Sequence, residues 1–239
     1  IISAKLPVED PVLWNGRKNP YLYTVRCEIF DSTTQEVTDN IDIRTGLREY
    51  HIDSHKGFFL NGEHIKLQGV SRHQDRENMG NAITEKQHAE DVKIILDVGA
   101  NSVRLAHYQQ NSYFYDLCDE SGLLVWAEVP VISRFSPKRN ENAEQQLVEL
   151  IKQNYNHPSI FCWDIENEIT IAGSASKKLI TFLKHMHKVA RHLDPTRYTT
   201  CAQLTMCPVN SPLNHITDII DYNHYYGWYM GSCDEINNW

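Results

Sequence analysis

Long apolar runs are missing from this chain: nothing in it approaches the ~20 consecutive apolar residues that cross a bilayer, which excludes a helical membrane span. Clustered positive charge is missing too. The 23 Lys and Arg are outnumbered by 31 Asp and Glu, the formal net charge is −8, and no basic patch interrupts it, so nucleic acid and anionic membrane are excluded as expected partners. No glycine-rich phosphate loop is present, which removes the nucleotide-binding reading of an α/β protein. The six cysteines contain no CxxC pair, and Cys118 and Cys162 fall inside apolar patterns, so the thiols read as reduced and structural. His51/His55 and His185/His187 have spacings found in metal sites but no third ligand nearby, and read as surface residues. The opening IISAKLPVED lacks the basic and apolar parts of a signal peptide and reads as a cut in a longer chain.

What is there changes period partway along. In YLYTVRCEIF (21–30), Tyr21, Tyr23, Val25, Cys27 and Ile29 alternate with polar residues, the pattern of a half-buried antiparallel strand. After the turn DSTTQEVTDN a second alternating run, IDIRTGLREYHID, follows. Residues 1–55 therefore read as the closing strands of a β-sandwich, and SHKGFFLNGEHIKL as a hairpin turning at Asn61-Gly62. From there to the end, 56–239, six apolar runs are separated by helical patterns: IKLQGV, NSVRLAHY, LLVWAEVP, IFCWDIENE, YTTCAQL and IIDYNHYY. One helix is expected from Thr84, with Gln87 at capping-box spacing, to near Gly99. The longest is expected over 177–193, just before Pro195. Strands alternating with helices specify a parallel sheet covered on both faces. A complete (β/α)₈ barrel takes about 250 residues, so if the sheet is that of a barrel, its last two units are missing from this chain.

In parallel α/β folds chemistry gathers at the carboxyl ends of the strands. Arg72, His73 and Asp75 follow the first strand, His107 and Tyr108 the second, Glu128 lies in the third, and His224 to Tyr229 surround the sixth. Most pointed is NHPSIFCWDIENEI (156–169), a core strand ending in Asp164, Glu166, Asn167 and Glu168, where unpaired buried carboxylates would cost several kcal/mol each. Singly, each of these groups has an ordinary structural explanation; together they mark one face.

NHPSIFCWDIENE resembles the acid/base signature of glycoside hydrolase family 2, GANSVRLAHYQQNSYFYDLCDESGLLVWAEVP resembles that family's second signature, and FFLNGEHIKLQGVSRHQDR its barrel entry. The resemblance implies an α/β fold, a (β/α)₈ TIM barrel incomplete in this chain, preceded by the end of an immunoglobulin-like β-sandwich. It implies retaining hydrolysis of a terminal β-glycoside, by two carboxyl groups about 5 Å apart. Glu168 would be the catalytic acid/base and Asn167 the donor to the sugar 2-hydroxyl. Arg104 would hold the nucleophile ionised, His73 and His107 would bond sugar hydroxyls, and Tyr225 would contact the nucleophile. The nucleophilic Glu itself is expected past residue 239, which makes these residues alone inactive. Asp164 and Glu166 carry no role in the family pattern and are assigned to structural bonds. Trp228 is open between a sugar or aglycone face and core packing. Some members bind Mg²⁺ through an acid and a histidine after the third strand; Ile132 and Arg134 stand there, so neither metal nor cofactor is expected. GVSRHQDR resembles the β-galactosidases and puts them first, with β-glucuronidase as the alternative through YYGWY. A non-catalytic carbohydrate-binding relative comes last, since it would not need the Asn167-Glu168 pair. The expected partners are a carbohydrate substrate and, as an allowance, further copies in a homo-oligomer.

Overall fold

The structure is a computed structural model. It describes residues 3–238; Ile1, Ile2 and Trp239, at the outer ends of the two predicted domains, lie outside the described residues. In chain order the elements are β1 (Trp14–Asn15), β2 (Asn19–Pro20), β3 (Tyr23–Phe30), β4 (Val37–Thr45), β5 (Tyr50–Asp53), β6 (Gly57–Leu60), β7 (Glu63–Ile65) and β8 (Gly69–Arg72). There follow α1 (Glu85–Asp97), β9 (Ser102–Leu105), α2 (Ser112–Ser121), β10 (Leu124–Glu128), α3 (Asn140–Asn154), β11 (Ile160–Asn167), α4 (Lys177–Leu193), β12 (Tyr198–Leu204) and β13 (Asp221–Asn223). Six strands form one sheet in the order β13-β12-β11-β10-β9-β8, the sequential strand-helix winding of a (β/α) barrel with six of its strands. All six apolar runs named above become strands of it. Between β12 and β13 the structure has a short 3₁₀ turn, Pro212–His215, in place of the expected helix. Pro208 and Pro212, two prolines four residues apart, leave no room for one.

The chain folds as two compact units. One comprises the residues up to Arg104 with 110–126 and 154–161; the other comprises 105–109, 127–153 and 162 onward. The sequence-derived boundary at 55/56 falls inside the first unit, for a visible reason. Arg48 donates from Nε to Pro158 O (2.8 Å) and from Nη2 to Ile160 O (2.7 Å), and the Tyr50 hydroxyl donates to Phe161 O. Trp14 is fully buried and its indole N–H reaches Asp119 O at 2.8 Å. The hairpin turns where expected, with Asn61 at φ 49° and Gly62 at φ 81°. β3 and β4 pair antiparallel from Tyr23↔Thr45 to Phe30↔Val37, but not half-buried: Ile29 is 62% exposed and Cys27 is exposed. A two-stranded ribbon has alternation without a second layer to bury it against, among the described residues. α1 begins at Thr84 with the capping box intact. Arg72 is buried against Asp91 at 2.6 Å and lies over the Phe114 ring, which makes it a structural residue of this unit.

In the second unit β11, β12 and β13 pair in parallel. α4 spans the predicted 177–193; Ser176 caps its first turn by accepting from Leu179 N–H, and Leu179, Phe182, Leu183, Met186 and Ala190 bury one face. Trp163 of β11 donates its indole N–H to Asp194 Oδ2 at 2.9 Å, and Arg197 pairs with the same oxygen at 2.7 Å.

Candidate active site

β11 is a strand because Ile160, Phe161, Cys162, Trp163 and Ile165 suit a pleated core surface, and all eight of its residues are buried. Against β12 its register runs Asp164↔Thr200 and then Asn167↔Ala202, three steps on one strand against two on the other. That bulge changes which way the last residues face. The buried acids are accounted for by hydrogen bonds. Asp164 Oδ1 accepts from Glu166 N–H (3.1 Å); Glu166 accepts from Gln203 Nε2 on Oε1 (3.0 Å) and from Ile169 N–H on Oε2 (3.0 Å). Glu166 thus closes a turn over residues 166–169, and within it Glu168 takes φ 50°, a left-handed conformation uncommon for a side chain of this size. Beside Gln203, burial and the Glu166 carboxylate push the Cys201 thiol up to about 12, so it remains a thiol.

The backbone is pinned on both sides of this turn: Asn167 N–H donates to Val131 O (2.9 Å) and Glu168 N–H to Ala202 O (2.8 Å). The side chains converge from β13. Asn223 Nδ2 donates to Asn167 Oδ1 at 2.9 Å and to Glu168 Oε1 at 2.8 Å, and the Tyr225 hydroxyl reaches Glu168 Oε1 at 3.4 Å. His107 Nδ1 sits 2.6 Å from the buried Glu128 Oε2, an arrangement in which the carboxylate keeps the proton on Nδ1 and orients the ring. A carboxyl group with two donors on one oxygen, beside an amide, is equipped for proton transfer to or from a bound ligand.

Of the residues singled out from sequence, Glu168, Asn167 and Tyr225 are brought into direct contact, with His107 in the same unit. His73 and Arg104 belong to the other unit, where His73 is exposed and the Arg104 guanidinium lies 4.9 Å over the Trp126 ring. Trp228 is 78% exposed, which removes core packing as its explanation within the described residues. Asn223 was missed by sequence reasoning, although its place at the end of the sixth strand was a signal. Ile132 and Arg134, both exposed, offer no metal donors. Among the described residues one group has metal-capable geometry, Asp116, Asp119 and His157, in the first unit. Its atoms are already engaged: His157 Nδ1 lies 2.6 Å from Asp119 Oδ2, Ser159 N–H donates to Asp119 Oδ1, and Arg44 pairs with Asp116.

Two family models match the chain: "Glycosyl hydrolases family 2, TIM barrel domain" over residues 52–239 and "Glycosyl hydrolases family 2" over 1–48. A β-glucuronidase from Bacteroides fragilis is 42% identical across 95% of this chain and 33% of its own length. A β-galactosidase from Thermoanaerobacter pseudethanolicus is 32% identical across 83% of this chain and 26% of its own. Among solved structures, an FMN-binding β-glucuronidase from Facaelibacterium prausnitzii L2-6 superposes with a TM-score of 0.92 at 45% identity, covering 97% of this chain and 36% of that one. The chain spans about a third of the length of such relatives. With a model matched over most of its residues and the Asn-Glu pair seated at the end of β11, the chain belongs to glycoside hydrolase family 2 and carries six strands of its TIM barrel after part of a β-sandwich.

Proposed function

We propose that the protein containing this chain is a retaining β-glycosidase acting on terminal β-glucuronides, with Glu168 as its acid/base. The observation that carries this reading is the Glu168 carboxyl, held at the end of β11 by Asn223 and Tyr225 on a single oxygen. In the first step Glu168 gives its proton to the glycosidic oxygen as a second carboxylate attacks the anomeric carbon; the resemblance assigns that carboxylate to no residue of this chain. In the second step Glu168 takes a proton from water as the glycosyl-enzyme is hydrolysed. Asn167 donates to the sugar 2-hydroxyl, a bond that strengthens as the ring becomes oxocarbenium-like. By the resemblance His107 bonds a sugar hydroxyl, the same role is carried over to His73 and that of holding the nucleophile ionised to Arg104, and the sandwich segment ends near residue 55.

The sugar rests on two supports: YYGWY resembles the glucuronidases, and two of the relatives at 42% and 45% identity bear that name. This reverses the order suggested by GVSRHQDR. β-Galactosides remain the second reading, favoured by that loop and by a putative β-galactosidase structure at 40% identity. The test is made on the full-length protein. Its kcat/KM on 4-nitrophenyl β-glucuronide should exceed that on the β-galactoside, and Glu168→Gln should cost about 10²-fold or more on methyl glycosides but far less on dinitrophenyl glycosides, whose leaving group needs no proton. Equal losses on both would remove Glu168 from the acid/base role.

A further inference from the structure

We propose that Asn223 is the positioning residue that decides which oxygen of Glu168 carries the catalytic proton. The inference rests on the acid/base reading of Glu168 and goes beyond it. Asn223 closes β13 directly opposite Leu204, its backbone carbonyl accepts from the Thr205 hydroxyl, and its side chain is buried. From that fixed place its one amide nitrogen spends two hydrogens, on Asn167 Oδ1 at 2.9 Å and on Glu168 Oε1 at 2.8 Å. Two results follow from donor chemistry alone.

First, Oε1 faces N–H and O–H donors, so in the protonated acid it is the carbonyl oxygen and the proton sits on Oε2. When that proton passes to the glycosidic oxygen, the C–O bond pair goes with the leaving group and Glu168 becomes a carboxylate. The Asn223 bond then turns charge-assisted, and is stronger in the transition state than in the ground state. Second, with Asn167 Oδ1 turned toward Asn223, its Nδ2 is the end of the amide left to donate to a sugar oxygen. One side chain therefore fixes the sense of both family residues. In the glycosylation step Asn167 contributes on every substrate, whereas Glu168, as the acid, contributes only where the leaving group needs a proton.

The experiment uses the full-length protein with Asn223→Ala and Asn223→Asp, the latter keeping the shape while removing the donor, and Glu168→Gln alongside. We measure kcat/KM, which reports the glycosylation step, on methyl and 2,4-dinitrophenyl β-glycosides of the sugar it hydrolyses. Both Asn223 variants should lose at least about tenfold more on the methyl than on the dinitrophenyl substrate. Asn223→Asp provides the reading if the alanine variant does not fold. Equal losses on the two substrates, or none, with Glu168→Gln still discriminating, would overturn the role of Asn223 and leave the acid/base in place. If Glu168→Gln itself does not discriminate, the underlying assignment fails and the proposal with it.

Discussion

Asp194 is fully buried and accepts from the Trp163 indole, the Arg197 guanidinium and the Thr196 hydroxyl. Burial by itself pushes its carboxyl up, but Arg197 and these hydrogen bonds outweigh it, and the net is below the ordinary aspartate range. A carboxyl depressed in the folded state contributes stability above its unfolded value and loses it as pH falls through the folded one. Asp194→Ala should cost about 3–5 kcal/mol near neutrality, because it strands the buried Arg197. The gap to the wild-type protein should narrow as pH falls below the ordinary aspartate value of about 4, as read by urea melts of the full-length protein. A gap that widened on acidification would contradict the depressed carboxyl. At this scale the site was partly legible. Glu168, Asn167 and Tyr225 stand in short runs whose residue types are tied to one chemistry. The end of the sixth strand pointed to Asn223, but its contacts depend on parallel pairing that brings it to residues 55 and 56 positions earlier in the chain.

Helix ends were the best-read elements. The span 177–193 ahead of Pro195 gave α4, and Thr84 with Gln87 opens α1, since caps and breakers are local chemistry. The bulge in β11 and the exposed face of the β3–β4 ribbon were not readable, because each depends on what the strand packs against, and alternation marks a face without naming its partner. One helix end carries a sharper constraint than its cap. Gly122 closes α2 at φ 73°, and a Cβ there would stand 2.2 Å from Gly16 O and 2.6 Å from Arg17 N, both backbone atoms unable to yield. Left-handed strain in a residue with a Cβ costs about 1 kcal/mol on its own. With the collision added, Gly122→Ala should destabilise by well over about 2 kcal/mol in chemical denaturation, whereas Gly99→Ala, with open space around its Cβ, should lose only the strain. Equal losses at the two glycines would dismiss the collision.

The six-stranded sheet has β13 and β8 at its edges, and Ile29, Phe30 and Ile41 stand exposed on β3 and β4. Unpaired edges and uncovered apolar rows template association. These 239 residues expressed alone should elute as aggregates on size exclusion and hydrolyse no aryl β-glycoside, while the full-length protein releases its sugar with the anomeric configuration retained by NMR. Turnover by the shorter chain at a similar rate would place the second carboxylate within it. The bonds from Arg48 and Tyr50 to the carbonyls of Pro158, Ile160 and Phe161 have a consequence for modularity. A gene-fusion breakpoint at 55/56, where the sequence changes period, would separate these donors from the carbonyls at the start of β11. The transferable cassette therefore begins before Arg48, and any lineage or engineer exchanging the sandwich for another module must carry that short stretch across with the barrel.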